Sequence, residues 1–310
     1  MLSDTLRSKS AKQNARVCYD FHSIYKFLAR LNNFDLHNHS NCSDGLLTPR
    51  ALVQLAARGK CDAVALTDHD TTAGLTEAAA AAAECGVRFI PGVEISVTWR
   101  PETLHTTLHV VGLNIDPLES HLAAGLQGVR DGRRARAAQM AADFDRVGIK
   151  GSLEGAYKHA EHPDMIGRTH FARFLVDIGK SRDIGSAFHH FLVKGKPGYV
   201  QHDWTALGDA VRWIHCAGGV AVLAHPGRYK LSPAQMRELL TEFKAMGGDA
   251  IEVVTGSHSG DDVVRFAQLA REFGFFASRG ADYHGPGESK WEPGTMPVLP
   301  PDLAPVWNRL

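Results

Sequence analysis

FDLHNHSNCSDGLLTPRALVQLAARG, residues Phe34–Gly59, runs from a short apolar start through a polar stretch into a helical pattern. Phe34–His37 reads as a strand. Thr48 caps the helix behind it, with Pro49 at its first position and Gly59 past its end, the asymmetry expected of helix termini. The next stretch, AVALTDHDTTAGLTEAAAAAAECG (Ala63–Gly86), repeats the pattern: strand Ala63–Thr67, then an alanine-rich helix Thr72–Cys85 stopped by Gly86. Working outward, Val87–Pro91, Leu108–Leu113, Gly219–Ala224, Ala250–Val254 and Phe275–Ser278 read as further strands. Helices at about Leu207–Ala217, Ser232–Met246 and Asp261–Phe273 separate the later ones. Seven short strands, mostly with helical crossovers, predict an α/β chain whose parallel sheet is closed or nearly closed into a barrel. An open doubly wound sheet is the alternative. No GxGxxG or GxxxxGK[ST] loop follows a strand, which weighs against a nucleotide cofactor.

Composition narrows the field. The chain has 310 residues, 44% hydrophobic and 22% charged, with 34 basic against 34 acidic side chains. A net charge of zero excludes nucleic-acid binding by bulk electrostatics, so any phosphate recognition is local. Apolar runs such as VAVLA are too short to cross a bilayer. Five scattered cysteines, Cys18, Cys42, Cys61, Cys85 and Cys216, form no CxxC pair. They argue against a disulfide scaffold or thiolate zinc site and for a reducing cytoplasm. Histidine is abundant, at 17 residues.

Residues 1–32 read as an N-terminal extension without a signal-peptide pattern, with a short helix expected around Phe21–Leu31. Residues 33–120 and 203–310 form the two parts of the barrel. Between them, residues 121–202 are helical and rich in Arg and His, with no strand expected before GKPGYV (Gly195–Val200). They read as an inserted subdomain over the substrate side.

The chemistry gathers where strands stop or start. His37 and His39 are two apart, so on extended backbone both imidazoles face the same way. TDHD presents Asp68, His69 and Asp70, PGVEIS presents Glu94, and HVVGL opens with His109. AHPGR carries His225, and ADYHGP carries Asp282 and His284, again two apart. A lone His is more often a satisfied polar group, and Asp before a helix is more often a cap. Two paired motifs together with TDHD and AHP exceed what capping explains. In a βα barrel such residues converge at the carboxyl ends of the strands, and imidazole with carboxylate suits Mn²⁺, Fe²⁺ or Zn²⁺.

DLHNHSNCSDG, ALTDHDTTAGL, GVEIS, HVVGL, AGGVAVLAHPGRY, IEVV and ADYHGP together resemble the PHP (polymerase and histidinol phosphatase) superfamily, over about Phe34–Pro286. The resemblance is strongest to its stand-alone bacterial branch of 3′,5′-nucleotide bisphosphate phosphatases and 5′→3′ exoribonucleases. It implies a distorted (β/α)7 barrel with a mainly helical insertion and two or three divalent ions, most often Mn²⁺. On matching positions, His37, His39, Glu94 and Asp282 would hold one ion. Glu94 would bridge to a second held by His109 and His225, and Asp44, His69 and His284 would hold a third. HTTLH also offers His105, but His109 directly precedes VVGL and is preferred. The usual Ser before the last Asp is Ala281 here, which removes no ligand.

Three ions less the charges of Asp44, Glu94 and Asp282 leave the centre at about +3, suited to a phosphate and a metal-activated hydroxide together. Glu94, Asp282 and His225 are the expected catalytic residues. Arg168, Thr169 and His170 resemble the branch's phosphate-binding turn, and Lys196 and Arg228 complete the substrate set, Arg being suited to bidentate phosphate contact. Arg130, Arg133, Arg134 and Arg136 read as a solvated basic helix face, or as a guide for an RNA strand. Tyr199 and Trp204 are the nearest stacking candidates, with core packing the plainer role. The expected activity is hydrolysis of nucleotide phosphate esters, as a 3′,5′-bisphosphonucleotide 5′-phosphatase, a 5′→3′ exoribonuclease on short RNA, or both. Alternatives are a C–N amidohydrolase, a histidinol-phosphate-type phosphatase and a non-catalytic module. The partner is a small nucleotide or short RNA, with no membrane and no obligate protein partner.

Overall fold

The computed structural model describes residues 33–100 and 102–310; the helix expected around Phe21–Leu31 lies outside them. Strands β1 (Phe34–Asp35), β2 (Ala63–Leu66), β3 (Arg88–Trp99), β4 (Thr106–Leu113), β6 (Val220–Leu223), β7 (Ala250–Thr255) and β8 (Phe276–Gly280) follow one another around a single sheet. Two-residue β5 (Thr205–Ala206) stands off that path and pairs with the end of β3. The ring closes between its first and last strands. Leu36 N donates to Arg279 O at 3.0 Å, Asp282 N to His37 O at 2.8 Å, and His39 N to Tyr283 O at 2.9 Å. Gly280 makes this approach possible, since a Cβ there would lie 2.3 Å from that of His37.

One expectation needs correction. The sheet is mixed: β4 runs antiparallel to both β3 and β6. β3 extends to Trp99 rather than stopping near Pro91, and only residues 100–105 link it to β4. A link that short makes a hairpin, whereas a parallel return needs a crossover of a dozen residues or more. The start of β4 therefore sits on the face where the parallel strands end, and that is where His109 is needed. Two smaller differences concern polar stretches. The helix expected from Thr72 begins at Leu75, after a turn over Ala73 and Gly74 in which Leu75 N donates to Thr72 O at 3.2 Å. GKPGYV is a turn, with Gly195 left-handed at φ +83° and Pro197 lacking a ladder donor.

The outer helices are α1 (Pro49–Arg58), α2 (Leu75–Cys85), α7 (Leu207–Cys216), α8 (Pro233–Ala245) and α9 (Gly260–Phe273). Thr48 Oγ1 caps α1, and Ser232 with Gln235 makes a reciprocal capping box on α8. Strand alternation sorts the core into two layers. Val64, Leu66, Val93, Ile95, Leu108, Val110, Ile251 and Val253 face the helices. Ala63, Ala65, Ile90, Val111, Leu113, Val222 and Ala250 fill the barrel interior, where Phe34 stacks on Trp307. The inward positions nearer the mouth on β3, β4 and β7 are Glu94, His109 and Glu252, so the same alternation that fills the barrel places polar groups at its mouth.

Between β4 and β5 the chain is helical: α3 (Ser120–Arg146), α4 (Ser152–Tyr157), α5 (Arg168–Asp177) and α6 (Ile184–Ala187), the last running into a π turn. These helices bury a cluster of their own around Met140, Phe144, Phe171 and Leu175. Cys42, Cys61, Cys85 and Cys216 are free thiols. Among the described residues, no helix is long and apolar enough to cross a membrane.

Candidate metal centre

Six imidazoles, from His37, His39, His69, His109, His225 and His284, crowd the barrel mouth, with neighbouring ring centroids 4.2–6.3 Å apart. His37 fixes the logic of the site. Its Nδ1 lies 2.7 Å from Glu252 Oε1, and a carboxylate only accepts, so Nδ1 carries the proton. Nε2 then presents a lone pair inward. Facing it are His39 Nε2 at 3.1 Å, Glu94 Oε2 at 3.3 Å and Asp282 Oδ1 at 3.5 Å. His39 Nε2 lies 3.3 Å from both carboxylates.

Acceptors converging like this repel one another unless a cation joins them. Adjacent donors on one ion with bonds near 2.1 Å lie about 3.0–3.4 Å apart, which these spacings match. Glu94 Oε2, His39 Nδ1 and His225 Nδ1 are buried without a hydrogen-bond partner. In the metal-free chain a proton substitutes. Burial opposes charge on His37, yet Glu252, Glu94 and Asp282 outweigh it and hold the imidazole well above its ordinary value. Burial, with His284 alongside, drives His39 down to about 3, and burial with Arg228 does the same to His225. Burial also raises Glu94 and Asp282, but the surrounding histidines outweigh it and keep both well below the usual carboxylate range.

The other ligands expected from the sequence meet at the same mouth. Glu94 Oε1 lies 2.9 Å from both His109 Nδ1 and His225 Nε2. Asp44 Oδ1 lies 3.4 Å from His284 Nε2, and Asp44 Oδ2 lies 4.0 Å from His69 Nε2. Two donors are shared more widely than expected: His39 Nδ1 approaches Asp44 Oδ1 at 3.8 Å, and His69 Nδ1 reaches Glu94 Oε2 at 2.9 Å. His105 is drawn away by Asp203, 2.7 Å from its Nε2.

Two acidic residues that sequence reasoning left aside hold the ligands. Glu252 accepts from His37 and from the backbone N–H of His225 at 2.6 Å. The signal was one carboxylate in the apolar strand AIEVVT. Asp68 accepts from Ser40 N, Ser40 Oγ and Ser43 Oγ at 2.6–2.7 Å, fastening the loop between His39 and Asp44. Burial raises its carboxyl to about 6 against those donors. Asp70, His225 and Asp282 hold φ of +48°, +27° and +52°, strain that tends to persist where function demands the geometry.

The substrate residues divide. Arg168, Thr169 and Arg228 line a cleft beside the cluster, together with Ser96, Arg133, Arg136, Phe188 and Trp204. Thr169 Oγ1 donates to Asp44 Oδ2 at 2.8 Å, and Arg228 to Asp282 Oδ2 at 2.8 Å. His170 turns away into the subdomain. Its Nδ1 accepts from Gly167 N at 3.0 Å, closing the first turn of α5, and burial lowers it to about 4. Lys196 lies on an exposed turn outside the cleft. Arg133 and Arg136, expected on a solvated face, are buried in the cleft wall. Arg133 pairs with Asp70, which also accepts from Ser96 N at 2.7 Å, and this docks α3 on the barrel. Trp204 is covered by the guanidinium groups of Arg133 and Arg136, 5.0 and 5.3 Å from its ring centre, rather than free to stack a base.

The PHP domain family model matches residues 35–255 of this sequence. The chain belongs to the PHP domain family. A 3′,5′-nucleoside bisphosphate phosphatase of Chromobacterium violaceum is 50% identical to it over 278 residues, covering 90% of this chain and 96% of that protein. The 5′-3′ exoribonuclease Rnm of Escherichia coli is 40% identical over 278 residues, covering 89% and 92%. A solved structure described as an amidohydrolase from Chromobacterium violaceum, with bound sulfate and no metal, is 50% identical. It aligns with a TM-score of 0.86 over 89% of this chain and 95% of its own. A histidine and carboxylate donor set in this family is a site for divalent metal.

Proposed function

We propose that this chain hydrolyses phosphate esters of nucleotides, acting on 3′,5′-bisphosphonucleotides, on the 5′ ends of short RNA, or on both. It is a metal-dependent phosphoric ester hydrolase. The observation that carries the reading is the set of buried acceptors at the barrel mouth, facing one another beside a cleft lined with guanidinium groups. His37, His39, Glu94 and Asp282 would hold one ion, His109 and His225 with Glu94 a second, and Asp44, His69 and His284 a third, with Mn²⁺ favoured and Zn²⁺ or Fe²⁺ compatible. Such ions, when bound, acidify water and stabilise charge on phosphoryl oxygens.

The chain's own residues do the rest. Glu252 fixes the tautomer of His37, and Arg228 keeps one oxygen of Asp282 occupied so that the other points to His37 and His39. Arg228 and Arg168 present donors to phosphoryl oxygens, while Thr169 steadies Asp44 and closes the cleft wall. The phosphatase and exoribonuclease activities named for the relatives, and the sulfate bound in one relative, support an oxyanion substrate. The amidohydrolase description of that same relative keeps C–N hydrolysis as the second reading.

The deciding assay supplies Mn²⁺-loaded protein with 3′,5′-bisphosphoadenosine and, separately, with a short 5′-phosphorylated RNA. Inorganic phosphate from the first alone means a nucleotide phosphatase. Stepwise 5′ mononucleotides from the second mean an exoribonuclease. No product from either, with metal bound, overturns the proposal in favour of C–N hydrolysis.

A further inference from the structure

Ser40 and Ser43 are fastened to the barrel through Asp68, but the next residue, Asp44, is held from the inserted subdomain. Thr169 and Arg173 stand four apart on α5, so both project from one face of that helix. Thr169 Oγ1 donates to Asp44 Oδ2 at 2.8 Å, and Arg173 Nη2 donates to the Asp44 carbonyl at 2.6 Å. The same guanidinium donates to both oxygens of Glu288, from Nε at 2.9 Å and from Nη2 at 2.8 Å. Arg173 is 5% exposed and is not among the residues lining the cleft.

Glu288 belongs to the turn that closes over His284. Its N–H and that of Ser289 donate to Gly285 O, each at 3.2 Å, and Ser289 Oγ accepts from His284 N at 2.7 Å. Leu46 N donates to His284 O at 2.7 Å, which sets the two loops side by side. One buried guanidinium therefore braces both Asp44 and the turn carrying His284. Held in this way, donor atoms of His39, Asp44, His69 and His284 lie within 4.8 Å of one another.

The other ligands are braced differently. Glu94 and His109 lie within β3 and β4, and Asp282 N donates to His37 O across the seam of the ring. Those ties belong to the barrel. The brace on Asp44 comes from a helix whose apolar cluster, around Phe144, Phe171 and Leu175, is separate from the barrel core.

We propose that Arg173 is a positioning residue that makes the ion position of Asp44, His69 and His284 depend on docking of the inserted subdomain, whereas that of His37, His39, Glu94 and Asp282 does not. The inference rests on the metal-dependent reading and deepens it. Coupling between two equilibria is reciprocal, so a cation at that position also favours the docked subdomain. A bidentate pair that also holds a carbonyl suits the task, because its loss strands Glu288 and frees the Asp44 peptide together.

The test compares wild type with Arg173→Met and with the double variant Arg173→Met, Glu288→Met. The double variant replaces the buried pair by apolar side chains, which keeps the fold even where the single one is unstable. Equilibrium dialysis against Mn²⁺ with elemental analysis counts ions per chain. In both variants one ion should bind about 10- to 100-fold more weakly, with the others unchanged. Identical curves, or equal weakening of every ion, overturn the proposal. Full recovery in the double variant does so too, since it assigns the effect to a stranded carboxylate. Hydrogen exchange in the metal-free chains needs no ion. Amides of residues 44–46 and 284–289 should exchange about 10-fold faster or more in both variants, with β2 and β6 unaltered. Unchanged exchange there rules the brace out. Saturating Mn²⁺ should slow exchange across α5 in wild type and not in Arg173→Met; equal slowing in both sinks the coupling. Were all these changes seen in a chain that hydrolyses no phosphate ester, the phosphoesterase reading would fall and the coupling would stand.

Discussion

β1 and β8 carry two buried polar networks a few residues apart, and the two are built on opposite principles. In the first, Arg279 donates to Asn33 Oδ1, Phe34 O, Met296 O and Pro297 O. Asp35 accepts from Asn38 Nδ2, Ala281 N and Gly294 N. Each of these contacts joins a donor to an acceptor. In the second, around His37 and Asp282, acceptors face acceptors. Burial alone therefore does not mark a functional group. The mark is several acceptors converging on one point, since Asn38 Oδ1 and Ser152 Oγ are also buried without a partner but stand alone.

The sharpest way to break the comparison is Asp282→Ala. It removes an acceptor from a set with too many, so the fold should survive while turnover falls by about 10³-fold or more. Retained activity with full metal content, by elemental analysis, would sink the proposed centre. Arg279→Met should do the reverse. It strands four acceptors, costing about 3 kcal/mol in urea unfolding, and leaves metal affinity alone. A variant as stable as the parent would erase the distinction. Glu252→Gln lies between the two, since it loosens a ligand without removing one. Chelator competition should read a 10- to 100-fold loss of metal affinity, by order of magnitude; an unaltered affinity would make Glu252 merely structural.

The smallest effect is one of sign. Burial works against charge on His284, yet Asp44 and Asp282 outweigh it and hold the imidazole up at about 9. In the metal-free chain that proton stabilises the fold fully below the ordinary value of about 6.5, and the gain is lost as pH rises through about 9. Bound metal requires the neutral ring, so for the loaded chain it is acid that destabilises. Across that window the melting temperature of the metal-free chain should fall while that of the loaded chain holds or rises. Parallel slopes in calorimetry would contradict this.

Much of the barrel was legible because its signals are local. Caps at Thr48 and Ser232, stops at Gly59 and Gly86, and period-two alternation locate where most elements begin to within a few residues. The direction of β4 was not legible, since it depends on how few residues separate two strands whose ends sequence places loosely. The ligands stood out because strand ends concentrate them in pairs. Arg133 and Arg136 did not, as a helix with arginines spaced three and four apart gives no sign of which face is covered. Glu252 was hidden by its apolar neighbours, and Lys196 drew notice by charge alone.

The ring joins residues 245 positions apart, Phe34 to Arg279, at the seam where its first and last strands meet. On the ribosome, His37 and His39 therefore emerge long before Asp282 and His284. Until the final strand arrives, the early histidines lack their opposing carboxylate, and closing so long a loop is itself entropically costly. The proposed set of His37, His39, Glu94 and Asp282 is therefore completed only when the last strand closes the barrel.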